Sequence, residues 1–317
     1  MNTLVTPPDA MSRLLSVVKG ELKGSSQALY AYNLDLFAEW LKVPGQEEAC
    51  QALVSAGPFA GHSMVSAYLD DMKARGLSPA TMAHRLATIK RVLRCARILG
   101  LCHWTIELRP PKPQAFRDTR GPGPDRVSML IRGAASQKNP VKASRDVGIL
   151  SLLYCQGLRR GEVCSLRYAD LELDPQFPVL WTMGKGKDQR EMIPLGEETM
   201  LALAAWLRYR GTAPGPLFHR LDPGLDEGQL RPLDGSTLWS LVADLARGFG
   251  FKAWPHGLRH AAITEVIEQT HDLLEAQKFG RHASANTTTV YYDNMKRVSP
   301  KAPNLLGTGL KTRLGLS

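Results

Sequence analysis

The amino-acid sequence predicts a mainly α-helical protein with one small antiparallel β-sheet, an α+β chain in two units. Three observations predict it. Apolar residues recur at helical spacing through most of the 317 residues. One region, residues 170–195, breaks instead into short strand-like runs separated by turn residues. Between the two halves, residues 109–124 (RPPKPQAFRDTRGPGP) hold five prolines and no periodic apolar pattern, the composition of a semi-rigid linker. A chain of this length predicts two domains better than one, and the boundary is expected near residue 116.

In chain order, residues 1–24 read as a loose lead-in, with Pro7 and Pro8 early and Gly24 late. Ser25 and Ser26 are candidate caps for a helix carrying Leu29, Tyr32, Leu36, Phe37 and Trp40 at helical spacing, ended by Gly45. A second helix is expected over Ser63–Arg75, stopped by Gly76, and Pro79 stands near the start of a third. The first unit is therefore a helical domain over residues 25–108.

The third helix has two faces. Leu86, Ile89, Leu93 and Ala96 form one stripe, and Lys90, Arg91, Arg94 and Arg97 another. From Met72 to Ile106 there is no Asp or Glu, and the whole chain carries a formal charge of +10. A solvated basic face is the bland explanation. The missing acids and the net charge favour a polyanion instead, with Lys90, Arg91 and Arg94 as candidate DNA contacts.

The second unit, residues 125–298, opens with helices expected near Asp125–Ala135 and Ser144–Gln156, the latter ended by Gly157, then a short helix from Val163 to Arg167. The runs DLEL, PVLWTM and EMIPL follow, with turns at Pro175 and GKGKDQ, as a small antiparallel sheet. Helix returns over Glu197–Tyr209, residues 211–235 form a surface connection, and Ser236 and Thr237 can cap a helix running to Arg247. From His256 onward the chain closes as helices, the last capped by Asn286 and carrying Tyr291 and Tyr292. Residues 299–317 are a tail with two prolines, three glycines and scattered leucines.

Composition excludes several classes. The chain is 44% hydrophobic and 22% charged, as soluble globular proteins are, and no apolar run is long enough to span a membrane. The N-terminus has no secretory signal pattern, so a cytoplasmic location is expected. Five cysteines with no CxxC pair indicate neither a disulfide framework nor a zinc site, and HExxH does not occur, so no metal and no cofactor are expected.

What remains is a set of reagents for metal-free phosphoryl transfer. Arg159 lies in GLRRGE, Lys185 in the GKGK turn, His256, Arg259 and His260 in HGLRH, His282 in GRH, and Tyr291 nine residues later. Guanidiniums grip two phosphate oxygens at once, imidazoles and an ammonium move protons, and a phenol can attack phosphorus. Arg259 lies three residues after His256 and shares its helix face if the helix starts at Pro255, whereas His260 is assigned to another face. Each residue alone has an ordinary explanation, such as Arg159 pairing with Glu162. The ordered set together does not.

That set resembles the tyrosine recombinase (lambda integrase) family, most closely its Xer-like phage and bacterial integrases. The likeness is carried by GLRRGE, GKGK, HGLRH, GRH and the tyrosine nine residues beyond, and extends more weakly over residues 25–105. It implies a helical core-binding domain, a catalytic domain, and a site-specific recombinase acting as a tetramer on double-stranded DNA with inverted-repeat sites. By the same resemblance Tyr291 attacks phosphorus, Arg159 and Arg259 hold the phosphate, and Lys185 protonates the leaving oxygen. His256 takes the phenol proton, His282 donates to phosphate, and Glu162 orients side chains. A type IB topoisomerase or a catalytically degenerate DNA-binding protein are the alternatives. Two departures stand out: FGRH in place of the usual LGH, and Tyr292 beside Tyr291, which leaves the nucleophile open by one residue.

Overall fold

The computed structural model describes residues 9–20, 22, 24–110, 121–174, 176–184, 189–221 and 230–281. The chain divides into two compact units, Met1–Arg117 and Asp118–Ser317. Among the described residues no helix is long and apolar enough to cross a membrane.

Among the described residues every regular element of the first unit is a helix, and its start corrects an expectation. Residues within the supposed lead-in form α1 (Ala10–Gly20), because Met11, Leu14, Leu15 and Val18 recur at i, i+3, i+4 and i+7 and are buried in the core. Next comes α2 (Ser25–Leu41), whose N-cap position is Gly24, so the expected Ser25 and Ser26 stand inside the helix. Its buried stripe is Leu34, Phe37 and Ala38, while Leu29 and Tyr32 point to solvent. An unexpected helix, α3 (Gln46–Ser55), follows. Gly45, read as a stop, is its N-cap, and Glu47 and Glu48 sit in its first turn, where carboxylates favour the positive end of the helix dipole.

The next helix, α4 (Gly57–Ala74), starts six residues before the expected Ser63. Gly61 on it receives the indole of Trp104: a Cβ there would lie 2.1 Å from the ring. Trp104 Nε1 in turn donates to the Val54 carbonyl at 3.4 Å. The basic helix is α5 (Pro79–Ile98), capped by Ser78 Oγ accepting from the Thr81 amide at 3.2 Å. Its apolar stripe is buried as the periodicity requires. Arg94 and Arg97 are exposed and Lys90 is half-buried. Arg91 is engaged inside the unit, donating from Nε to the Val18 carbonyl of α1 at 3.0 Å, with its guanidinium 6.0 Å from the Tyr30 ring centre.

The second unit is organised around α7 (Pro140–Tyr154), which packs against α6 (Pro124–Ala135), α9 (Glu197–Arg210) and α11 (Pro255–Thr270). Neighbours on three sides explain why Ile149, Leu150, Leu152 and Leu153 are all buried, too broad a stripe for a surface helix. It begins four residues before the expected Ser144, because Asn139 Oδ1 accepts from the Val141 and Lys142 amides and Pro140 takes the first helical position. The short helix α8 (Arg160–Ser165) also starts earlier than expected.

β1 (Leu171–Glu172), β2 (Val179–Met183) and β3 (Arg190–Pro194) form the antiparallel sheet in that order, with Leu180 opposite Ile193 and both buried. The cap of α10 (Gly235–Gly248) is Asp234, two residues before the expected Ser236 and three before Thr237. Its carboxylate accepts from the Thr237 amide and from the Ser236 and Thr237 hydroxyls, which are thus donors to the cap. The last described helix is α12 (Leu273–Gly280), capped by Asp272. The final helix expected after Asn286, both its tyrosines and the leucine-bearing tail lie outside the described residues.

Candidate active site

The site grows from the end of α7. Gly157 has φ +56°, a left-handed turn that glycine adopts without strain, and a Cβ there would come within 2.8 Å of the Phe279 ring. The turn therefore does two things: it receives Phe279 of α12, and it sends the chain through buried Leu158 into Arg159. Arg159 is extended (φ −76°, ψ 152°) and is the N-cap of α8.

Glu162 fixes it twice. Glu162 Oε2 accepts from the Arg159 amide at 2.8 Å, and Oε1 accepts from Arg159 Nη1 at 2.6 Å. The surface pair expected as the bland explanation of Arg159 is thus present, but its carboxylate is buried. The Arg159 side chain keeps 27% of its surface exposed. Burial pushes the Glu162 carboxyl up, but Arg281, the Arg159 hydrogen bonds and the Arg159 charge outweigh it, so its pKa lies below the ordinary 4.5.

Arg259 stands in the first turns of α11 and is almost wholly buried, at 1% exposure. A buried guanidinium must donate, and it does so to the carbonyls of Gly157 and Gly280, joining the end of α7 to the end of α12. Arg159 and Arg259 therefore meet around one turn, 100 residues apart in sequence.

His256 is one turn earlier on α11, exposed at the rim. Burial of part of its ring, then the charges of Arg259 and Arg159, lower its pKa from the ordinary 6.5 and favour the neutral imidazole. His260 was assigned to another face; instead its ring meets the His256 ring edge-on, centroids 4.2 Å apart. The reason is the helical period, which puts residues four apart on one face.

Sequence reasoning missed two features. Arg281, the additional residue in FGRH, caps α12 with φ 49° and reaches Glu162 Oε2 at 2.8 Å. The departure from LGH was its visible signal. Trp239 and Trp254 are large and exposed, and with Arg159, Arg160 and His256 they line a cleft of about 390 Å³. Nothing in the one-dimensional pattern pairs them.

Lys185, in the connection between β2 and β3, and His282, Tyr291 and Tyr292 lie outside the described residues. The structure thus brings together Arg159, Glu162, His256, Arg259 and His260. Among the described residues no group of three or more His, Cys, Asp or Glu side chains could hold a metal ion. Chemically, guanidiniums are groups that can hold an anion and an imidazole is one that can accept a proton.

Comparison with known proteins gives a consistent picture. The model of the phage integrase family matches residues 125–297. A tyrosine recombinase of Synechocystis sp. is 31% identical over 302 residues, covering 92% of this chain and 94% of that protein. Tyrosine recombinase XerC of Chromohalobacter salexigens is 29% identical over 289 residues, 89% of this chain and 90% of the relative. Among solved structures, the XerH site-specific recombinase bound to difH substrate aligns with a TM-score of 0.63 at 16% identity, covering 89% of this chain and 91% of XerH. A lambda integrase dimer bound to a COC′ core site aligns with a TM-score of 0.63 at 16% identity over 91% and 96% of the two chains. At these identities the structural likeness concerns the fold.

Proposed function

The chain belongs to the phage integrase family of tyrosine recombinases, enzymes that break and rejoin DNA, and from that premise we propose that it is a site-specific recombinase working through a 3′-phosphotyrosyl intermediate. The observation that carries this is the convergence of Arg159 and Arg259 on one turn, with Glu162 locking the first and His256 at the rim. Two preorganised guanidiniums suit the two non-bridging oxygens of a phosphodiester, whose charge they stabilise as phosphorus becomes five-coordinate.

In this mechanism the Tyr291 oxygen attacks phosphorus. His256 accepts the phenol proton, the bond from phosphorus to the 5′ oxygen breaks, and Lys185 protonates that oxygen. His282 donates to a non-bridging oxygen, and His260 backs the His256 ring. The phosphodiester energy is kept in the phosphotyrosyl bond, so no nucleotide is needed. The 5′-hydroxyl of a second duplex then attacks, releases Tyr291 and exchanges strands. Two duplexes with two cuts each call for four active sites, hence a homotetramer on double-stranded DNA with paired inverted-repeat sites. The net charge of +10 supports a polyanionic partner.

The test uses nicked suicide DNA carrying a cognate site, with wild type, Tyr291→Phe and Tyr292→Phe. A denaturant-resistant protein–DNA band is expected in wild type and Tyr292→Phe and none in Tyr291→Phe. The reverse pattern moves the nucleophile to Tyr292, and no band in any protein refutes the covalent mechanism. Exchange between two labelled duplexes separates a recombinase from an enzyme that only relaxes plasmids.

A further inference from the structure

We infer that Arg281 is a positioning residue that keeps the phosphate clamp cationic by meeting the charge of Glu162, and so leaves Arg159 available to phosphate. This rests on the clamp assigned above to Arg159 and Arg259.

The problem that Arg281 solves is electrostatic. Glu162 must be buried to lock Arg159, and its Oε1 lies 2.6 Å from Arg159 Nη1. A buried carboxylate facing a single guanidinium forms a neutral pair in a weakly screening interior, and a phosphate arriving at Arg159 must then compete with Glu162 for the same fork. Arg281 changes this. Its side chain is only 10% exposed, and its Nη2 reaches Glu162 Oε2 at 2.8 Å, on the oxygen that Arg159 Nη1 does not use. The Coulombic effect of Arg281 leads the influences that lower the Glu162 pKa against burial.

The residue is also held rigidly. It sits in the left-handed cap of α12, with Nη1 donating to the Gln156 carbonyl at 3.1 Å and Nη2 to the Gly157 carbonyl at 3.4 Å. Gly157 is therefore shared by Arg259 and Arg281. On the other side, Arg281 Nε lies 3.9 Å from Glu191 Oε2 on β3, the strand that follows the Lys185 connection. Arg159 and Arg281 thus both pair with Glu162, two guanidiniums on one buried carboxylate, and among these three groups one positive charge remains. Without Arg281 none remains.

A purely mechanical role, gluing α12 to α7, is the competing account, and the two differ in how they respond to Glu162. The test compares full-length wild type, Arg281→Met, Arg281→Lys and the double variant Arg281→Met/Glu162→Gln. Single-turnover cleavage of suicide DNA and calorimetric binding of inorganic phosphate are read in parallel, with thermal unfolding as the folding control. Arg281→Met is expected to cleave about 10²-fold more slowly, the scale of losing one preorganised donor. Its phosphate affinity should fall about tenfold, as for one weakened charge-assisted contact. The double variant should regain about tenfold over Arg281→Met in both readouts, because the uncompensated carboxylate is gone. Arg281→Lys, which keeps the charge and loses the fork, should stay closer to wild type than Arg281→Met does. Mechanical glue predicts the opposite for the double variant, since neutralising Glu162 loosens the joint further. A destabilised Arg281→Met leaves that comparison intact, because both proteins share the loss. If wild type makes no DNA adduct but shows the phosphate pattern, the recombinase mechanism fails and the role of Arg281 stands. Equal phosphate affinity in wild type and Arg281→Met, or a double variant no better than Arg281→Met, overturns the inference.

Discussion

Arg159 and Arg259 are expected to fail in different ways when truncated, although both hold phosphate in the proposed mechanism. Arg259 is 1% exposed and donates to the carbonyls of Gly157 and Gly280. Arg259→Ala therefore leaves the Gly280 carbonyl without this donor, at about 1–3 kcal/mol, while the Gly157 carbonyl keeps Arg281. In a unit of this size that lowers Tm by about 2–12 °C. Arg159 is partly exposed, and its removal leaves Glu162 still paired with Arg281 at 2.8 Å, so Arg159→Ala should unfold within about 2 °C of wild type. Both variants should lose at least about 10²-fold in suicide-substrate cleavage, the cost of one missing transition-state donor. Arg159→Lys should also fail, because a point charge cannot replace the planar fork. Differential scanning calorimetry and single-turnover cleavage on the same preparations decide the matter. Near-normal cleavage in both Ala variants refutes the clamp. An Arg259→Ala protein that melts with wild type refutes the joint between α7 and α12.

Three other outcomes follow from the same geometry. His256 should titrate below 6.5 by NMR in the DNA-free protein, since burial and the charges of Arg259 and Arg159 all disfavour the imidazolium. Arg159→Ala should raise it, the folding contribution of the neutral ring should be lost as pH falls below 6.5, and an unchanged titration in Arg159→Ala contradicts the proximity of the two groups. In the first unit, Lys90→Ala/Arg94→Ala should lower the slope of log affinity against log salt by about 1.8 if each side chain neutralises one phosphate. Arg91 is left in place because it ties α5 to α1, and an unchanged slope makes this face a merely solvated one. Gly61→Ala should destabilise the first unit by about 1–3 kcal/mol, as overpacking does, because a Cβ would lie 2.1 Å from Trp104; a wild-type denaturation midpoint refutes that packing.

Much of this protein was legible in one dimension. Helical periodicity located α5, α6, α9 and α11, and the alternation of apolar runs with Pro and Gly turns located the small antiparallel sheet. The residues that the fold brings together at the candidate site were legible too, because GLRRGE and HGLRH single out Arg159, Glu162, His256 and Arg259. Tertiary structure decided the rest. Residues 10–20 have an apolar stripe too short to distinguish a helix from a lead-in until α3 and α5 cover it. The buried face of α2 depended on which neighbours it met, so Leu29 and Tyr32, as apolar as Leu34 and Phe37, ended in solvent. Arg281 shows the limit most clearly. Its partner Glu162 lies 119 residues away, and the two meet only because Gly157 turns left-handed and α12 ends against that turn. Periodicity reports which side of an element is apolar. Which charged groups come face to face across distant elements depends on how the elements pack, and local sequence carries no term for that.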